Sequence, residues 1–256
     1  IIIFALYYSQ KLTLDNYWIF RIPFTIILTI TLLQPKLLNS KYYWSLLTTC
    51  TLFFFYIRRY DIDNHSFLFS YFIIAITTVT WLIDQEDKKE VILAENARWL
   101  ICLCMLAAAI NKFIAPDFIS GEFLNIQTIT DHTKLKWLLE SIHPGHANQI
   151  YTENIRSFFQ LMNNPSITVT VKGTTPSLKF ITKWISTLTA YYELLLGILF
   201  AWPAKSPKVN TIKHYALLLF CASLYHFMRI PGFGLLLLVL GYTQLTHDQH
   251  KLKGLY

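Results

Sequence analysis

The sequence predicts an all-α fold: a polytopic transmembrane helical bundle of about seven to eight helices with a small extracytoplasmic cap. Three observations carry that expectation. The 256 residues are 54% hydrophobic and only 14% charged, whereas a soluble domain carries about 25% charged residues. Mean hydropathy is +0.40. The apolar residues gather in runs, several of which approach the roughly 20 residues needed to cross a bilayer. The 19 Phe, 15 Tyr and 7 Trp agree, because Tyr and Trp favour membrane interfaces.

In chain order, Ile1–Tyr8 is apolar but too short to span. It reads as the end of a longer helix or as a short interfacial one, so the count is seven without it and eight with it. Ile22–Leu33, Tyr42–Ile57, Phe67–Ile83 and Leu100–Ile114 supply four helices. Ile181–Trp202, Tyr215–Phe227 and Leu235–Leu245 supply three more. Residues 1–256 then form one integral-membrane domain, with 116–180 inserted between membrane helices as the cap. Leu135–Ile142 and Ile155–Met162 in that insertion are patterned like short amphipathic helices. Ile167-Thr168-Val169-Thr170-Val171 alternates like a strand and stops at Gly173. No internal repeat is evident, which argues against a transporter built from two related halves.

The net charge of +7 and pI near 9.1 do not indicate nucleic acid, since no basic stripe or nucleic-acid motif accompanies them. They follow from Lys and Arg placed beside membrane helices. Lys36, Lys41, Lys88, Lys89, Arg98, Lys205, Lys208, Lys213, Lys251 and Lys253 fall on one side, and Lys11, Arg21, Arg58, Arg59 and Arg229 on the other. Ten against five makes the first side cytoplasmic. The opposite, extracytoplasmic side carries the cap, in a bacterial inner membrane or a eukaryotic endomembrane. Cys50, Cys102, Cys104 and Cys221 all lie inside apolar runs and read as small hydrophobes. Neither a disulfide framework nor a metal site is expected.

Five places offer polar chemistry. Lys112 follows Ala107-Ala108-Ala109 near a helix end. It either snorkels to water as an anchor or is desolvated, which lowers its pKa toward that of a useful base. Asn64 and His65 start a helix in Asp63-Asn64-His65-Ser66. They serve there as capping and interfacial residues or hold a ligand oxygen. Glu193 lies mid-helix and needs a partner or a proton; Lys112, His226 and Arg229 are the candidates. His226 and Arg229, one turn apart, precede the break Ile230-Pro231-Gly232, which is a reversing turn or the lining of a cavity. His143 and His146 flank Pro144-Gly145, a weak arrangement for a metal. Lys112, His65, His226 and Arg229 all fall on the extracytoplasmic side of the topology, which makes one shared polar site there the expectation.

Asp63-Asn64-His65-Ser66-Phe67-Leu68-Phe69 resembles the Asn-Asn-His-Ser-Tyr-Leu-Tyr stretch of the vitamin K-dependent γ-glutamyl carboxylase family, whose membrane part is also known as the horizontally transferred transmembrane domain. Ala108-Ala109-Ile110-Asn111-Lys112-Phe113, followed by Asp117-Phe118 and Gly121, resembles that family's Ala-Gly-x-Lys-Lys-Leu, then Asp-Trp and Gly. Tyr225-His226-Phe227-Met228 with Gly232-Phe233 is similar to its Phe-His stretch followed by Gly-Met-Phe. The resemblance implies Lys112 as the base that deprotonates a hydroquinone (vitamin K-like), with His65 assisting; the polar residues read above, Asn64, Glu193, His226 and Arg229, are the substrate-binding candidates. The family's large luminal domain, which holds the glutamyl substrate, has no counterpart in these 256 residues. Two functions therefore stand as expectations. One is a carboxylase-like or quinol-dependent enzyme acting on a quinone- or lipid-like molecule. The other is a non-enzymatic structural or assembly subunit, whose partners are membrane lipids and other membrane-protein subunits.

Overall fold

A computed structural model of the chain describes residues 18–57, 64–131, 135–164, 166, 168, 170–203, 206–225, 231–245 and 253–256. Among the described residues the regular structure is helical, with no strand. The described residues of all seven apolar runs lie largely on helices. α1 spans Trp18–Leu33, and a 3-10 turn over Pro35–Asn39 leads to α2, Lys41–Ile57. α3 is Asn64–Leu82 and α4 is Glu86–Ile114. The inserted segment contributes α5 (Pro116–Ile119), α6 (Glu122–Thr130), α7 (Lys136–Ile142) and α8 (Ala147–Asn163). α9 (Pro176–Ala201), α10 (Pro207–Ser223) and α11 (Pro231–Thr243) follow. Ile1–Tyr8 lies outside the described residues.

Among the described residues two helices are long and apolar enough to cross a membrane, α4 with 29 residues and α9 with 26. At about 1.5 Å per residue they reach roughly 43 and 39 Å, against about 30 Å of hydrocarbon. The start and stop signals of both are plain. Glu86 and Asp87 occupy the first turn of α4 and Lys112 its last, matching the helix dipole at each end. Pro116 then forces Ala115 into extended backbone. Pro176 opens α9, where its missing N–H costs nothing, and Thr175 Oγ1 accepts the amide of Leu178 at 3.2 Å.

α9 is inverted relative to a water-soluble helix. Phe180, Trp184, Leu188, Tyr191, Leu195 and Ile198 form one exposed stripe, while Thr182, Ser186 and Glu193 are buried. α1 repeats the pattern, with Ile22, Ile26, Ile30 and Leu33 outside and Thr31 inside. Apolar stripes of this length need a nonaqueous neighbour.

The chain forms two compact units. The first holds the described residues through Cys104, Leu199–Cys221 and those beyond 230. There α2 and α3 pack as an antiparallel pair. Thr48 and Thr77 hydroxyls meet at 2.7 Å, and Trp81 Nε1 donates to Ser45 Oγ at 2.8 Å. Thr31 of α1 donates to Tyr43 Oη at 2.9 Å, and Cys221 Sγ lies 3.7 Å from the Gly234 carbonyl of α11.

The second unit holds Met105–Ile198 and the described residues of 222–229. Its core is Leu124, Ile129, Leu135, Leu138, Leu139, Ala147, Ile150, Tyr151 and Leu178. The two amphipathic helices expected in this segment are present, the second longer than its pattern implied. The strand expected at 167–171 is not: the described residues there have no regular structure. A side chain holds the backbone next to it. Asn154, 1% exposed, accepts the amide of Lys172 at 2.8 Å and donates to the carbonyls of Lys172 and Ile129, each at 3.0 Å. The amide and carbonyl of Lys172, just past that segment, are thereby satisfied by one carboxamide rather than by a neighbouring strand. His143 is used in the same way, its Nε2 meeting the Gly173 carbonyl at 3.0 Å.

Candidate functional site

The helices of the second unit bring Lys112 and Glu193 together. α4 and α9 run antiparallel there, so advancing along one retreats along the other. Gly197 meets Leu106: a Cβ on Gly197 would stand 3.2 Å from the Leu106 amide nitrogen and closer still to its side chain. Ala109 and Ala190, both fully buried, keep the approach narrow. Farther along, Phe113 and Tyr191 meet edge to face at 5.1 Å. Between these contacts the Lys112 ammonium donates to both carboxylate oxygens of Glu193, at 2.6 and 2.5 Å. The Glu193 side chain is 5% exposed and that of Lys112 22%.

An aromatic wall closes over the pair. α5 is a single turn that places Phe118 with its ring centroid 5.3 Å from Lys112 Nζ, within cation–π range. Phe123 of α6 lies 6.0 Å beyond. Gly121, at φ 81°, joins these helices in a left-handed conformation that glycine tolerates. It also lies directly on α9: a Cβ there would come within 2.8 Å of the Thr182 carbonyl carbon and closer to Lys183. The position of Phe118 over Lys112 is therefore set by backbone-to-backbone packing.

Of the partners open to Glu193, the structure supplies Lys112. Asn64 and His65 begin α3, and their side chains lie outside what is described. His226 and Arg229 lie outside the described residues. Pro231 is the first residue of α11, so the Ile-Pro-Gly break ends as a helix start.

In the α6–α8 segment, which lies outside the two long apolar helices, two groups titrate abnormally. Burial, reinforced by the charges of Asp131 and Glu140, pushes the Tyr151 phenol up to about 12. A hydrogen bond from Lys172, with a second from Gln149, holds Glu153 below the usual carboxylate range.

A second buried polar cluster was not anticipated. Arg98 and Lys213, read from sequence as loop charges, are 8% and 4% exposed inside α4 and α10. His214, beside Lys213, is completely buried. The only sequence signal was the pair Lys213-His214 at the edge of an apolar run.

No family model, curated protein or solved structure matches this chain.

Proposed function

We propose that this chain is a polytopic membrane protein of carboxylase-like ancestry whose Lys112–Glu193 pair handles protons for a quinone- or lipid-like substrate. The observation that carries the reading is the buried carboxylate bound to Lys112 Nζ through both oxygens. A lysine acting as base must first lose a proton, and Glu193 is the group positioned to take it. Transfer along the 2.6 Å contact converts ammonium and carboxylate into amine and carboxylic acid. A hydroquinone supplies an acidic phenolic hydroxyl, which the Lys112 amine can accept a proton from. Phe118 and Phe123 offer flat aromatic surfaces beside that amine, chemistry suited to a planar ring.

The polytopic reading rests on α4 and α9 as spans and on the exposed apolar stripes of α1 and α9. By the distribution of Lys and Arg, the Lys112 end of α4 is extracytoplasmic. His65 is proposed as the assisting residue from the family resemblance, and Asn64, His226 and Arg229 as substrate-binding residues from their polar positions on the same side of the expected topology. A separate observation favours the subunit reading. The Lys112 ammonium is already held by two oxygens, which is also how a purely structural tie between helices looks.

Titration of the purified protein with a naphthohydroquinone separates the two. The enzyme reading predicts saturable binding that is lost in Lys112→Ala while the helical content is kept. Equal binding by wild type and Lys112→Ala, or none by either, with a stoichiometric protein partner at purification, supports the subunit.

A further inference from the structure

The buried cluster in the first unit plays no part in that reading, and its hydrogen bonds do not close. Arg98 is satisfied. Its Nη1 donates to the carbonyls of Phe200 and Ala201 at 2.9 and 3.0 Å, capping the end of α9. Its Nε and Nη2 donate to Glu95 at 3.1 and 2.7 Å. Lys213, 4% exposed, sets its Nζ 5.2 Å from the centroid of the Phe200 ring. His214 packs edge-on against the same ring, 6.2 Å between centroids. Its Nδ1 meets Tyr256 Oη at 2.8 Å, and its Nε2 is buried without a partner. Where Tyr256 donates to Nδ1, Nε2 carries the ring proton and is itself a donor.

A buried ring nitrogen without a partner and an ammonium therefore lie against one phenyl ring. Two positive charges, Arg98 and Lys213, face the single carboxylate of Glu95, which is itself 55% exposed. A buried unpartnered donor beside excess positive charge is complemented by an anion that offers several oxygens. We propose that Lys213 Nζ and His214 Nε2 bind a phosphate-bearing anion beside Phe200, with Arg98 holding the end of α9 in place. Such a phosphate has two sources, the headgroup of an anionic lipid or free phosphate. Basic pockets at the ends of membrane helices take lipid headgroups, and exposed Trp202, two residues beyond Phe200, is the residue type that marks that level.

The test uses the full chain in mild detergent. Native mass spectrometry after equilibration with mixed phosphatidylglycerol and phosphatidylcholine reads lipid retention. Thermal unfolding in inorganic phosphate, against chloride at equal ionic strength, reads free phosphate. A lipid site predicts preferential phosphatidylglycerol adducts, reduced roughly tenfold or more in Lys213→Gln and in His214→Gln, and kept in Lys213→Arg. A free-phosphate site predicts phosphate-specific stabilisation, absent in the same two variants, without a lipid preference. His214→Gln leaves the charge intact, so it reports on binding even where Lys213→Gln fails to fold. Equal phosphatidylglycerol and phosphatidylcholine retention with no phosphate-specific stabilisation, or adducts unchanged in both variants, overturns the proposal.

Discussion

Replacing Glu193 with Leu leaves the Lys112 ammonium buried against apolar side chains with its carboxylate gone. Breaking a buried ion pair from one side costs about 3–5 kcal/mol. Lys112 is 22% exposed and can turn its stem to reach water, so Glu193→Leu belongs at the lower end, about 3 kcal/mol. Lys112→Met is the harsher change, about 4 kcal/mol, because Glu193 is only 5% exposed and has no comparable reach. The double variant removes both charges and replaces them with groups of similar volume. It should lie within about 1 kcal/mol of wild type or above it. The coupling energy is then at least about 6 kcal/mol. Denaturant titration of the solubilised protein, followed by helical circular dichroism, measures all four corners of the cycle. Additive losses, with the double variant destabilised by about 7 kcal/mol, refute the reasoning, because two residues that do not interact cannot rescue each other.

Asn154→Ala strips partners from the carbonyls of Ile129 and Lys172 and the amide of Lys172; about 2–4 kcal/mol should be lost, seen as faster hydrogen exchange across 129–131 and 170–173. Gly121→Ala forces a side chain into the left-handed region, at about 1–2 kcal/mol, and onto the backbone of Thr182 and Lys183, so the α5–α6 turn should lift and become protease-sensitive. Tyr151, whose phenol lies near 12 when folded against a usual 10, contributes stability below pH 10 that is lost as pH rises through 10 to 12; tyrosinate absorbance should show the late titration, and Tyr151→Phe should flatten that alkaline limb. Glu153, held low by Lys172, works in the opposite sense: its contribution is present above the ordinary carboxylate pKa and fades on acidification, and Glu153→Gln should remove that acid dependence from local hydrogen exchange in 149–172.

Apolar runs were enough to place the seven longer apolar helices, because each run is bounded by a charge, a proline or both, but not the short α5 and α6. They said less about spanning, since among the described residues only α4 and α9 combine the needed length and composition. The strand expected at 167–171 was a reading of local alternation. The backbone of Lys172, directly after it, pairs with the distant Asn154 carboxamide instead, and nothing in a two-residue period announces such a partner. Glu193 was legible as a residue in need of a partner, because a lone carboxylate in an apolar helix is costly. Its choice of Lys112 depended on helix packing at Gly197, which a single sequence does not display. Arg98 and Lys213 were misplaced for a related reason. Counting loop charges assigns every Lys and Arg near a helix end to solvent, whereas Arg98 spends its donors on the exposed carbonyls that end α9.

The most direct test of the central claim is mass spectrometry of the small molecules co-extracted with the gently purified protein. The account predicts a quinone in the wild-type protein that disappears from Lys112→Ala and is reduced in His65→Ala. A protein that carries no quinone, or carries as much after Lys112→Ala as before, contradicts it.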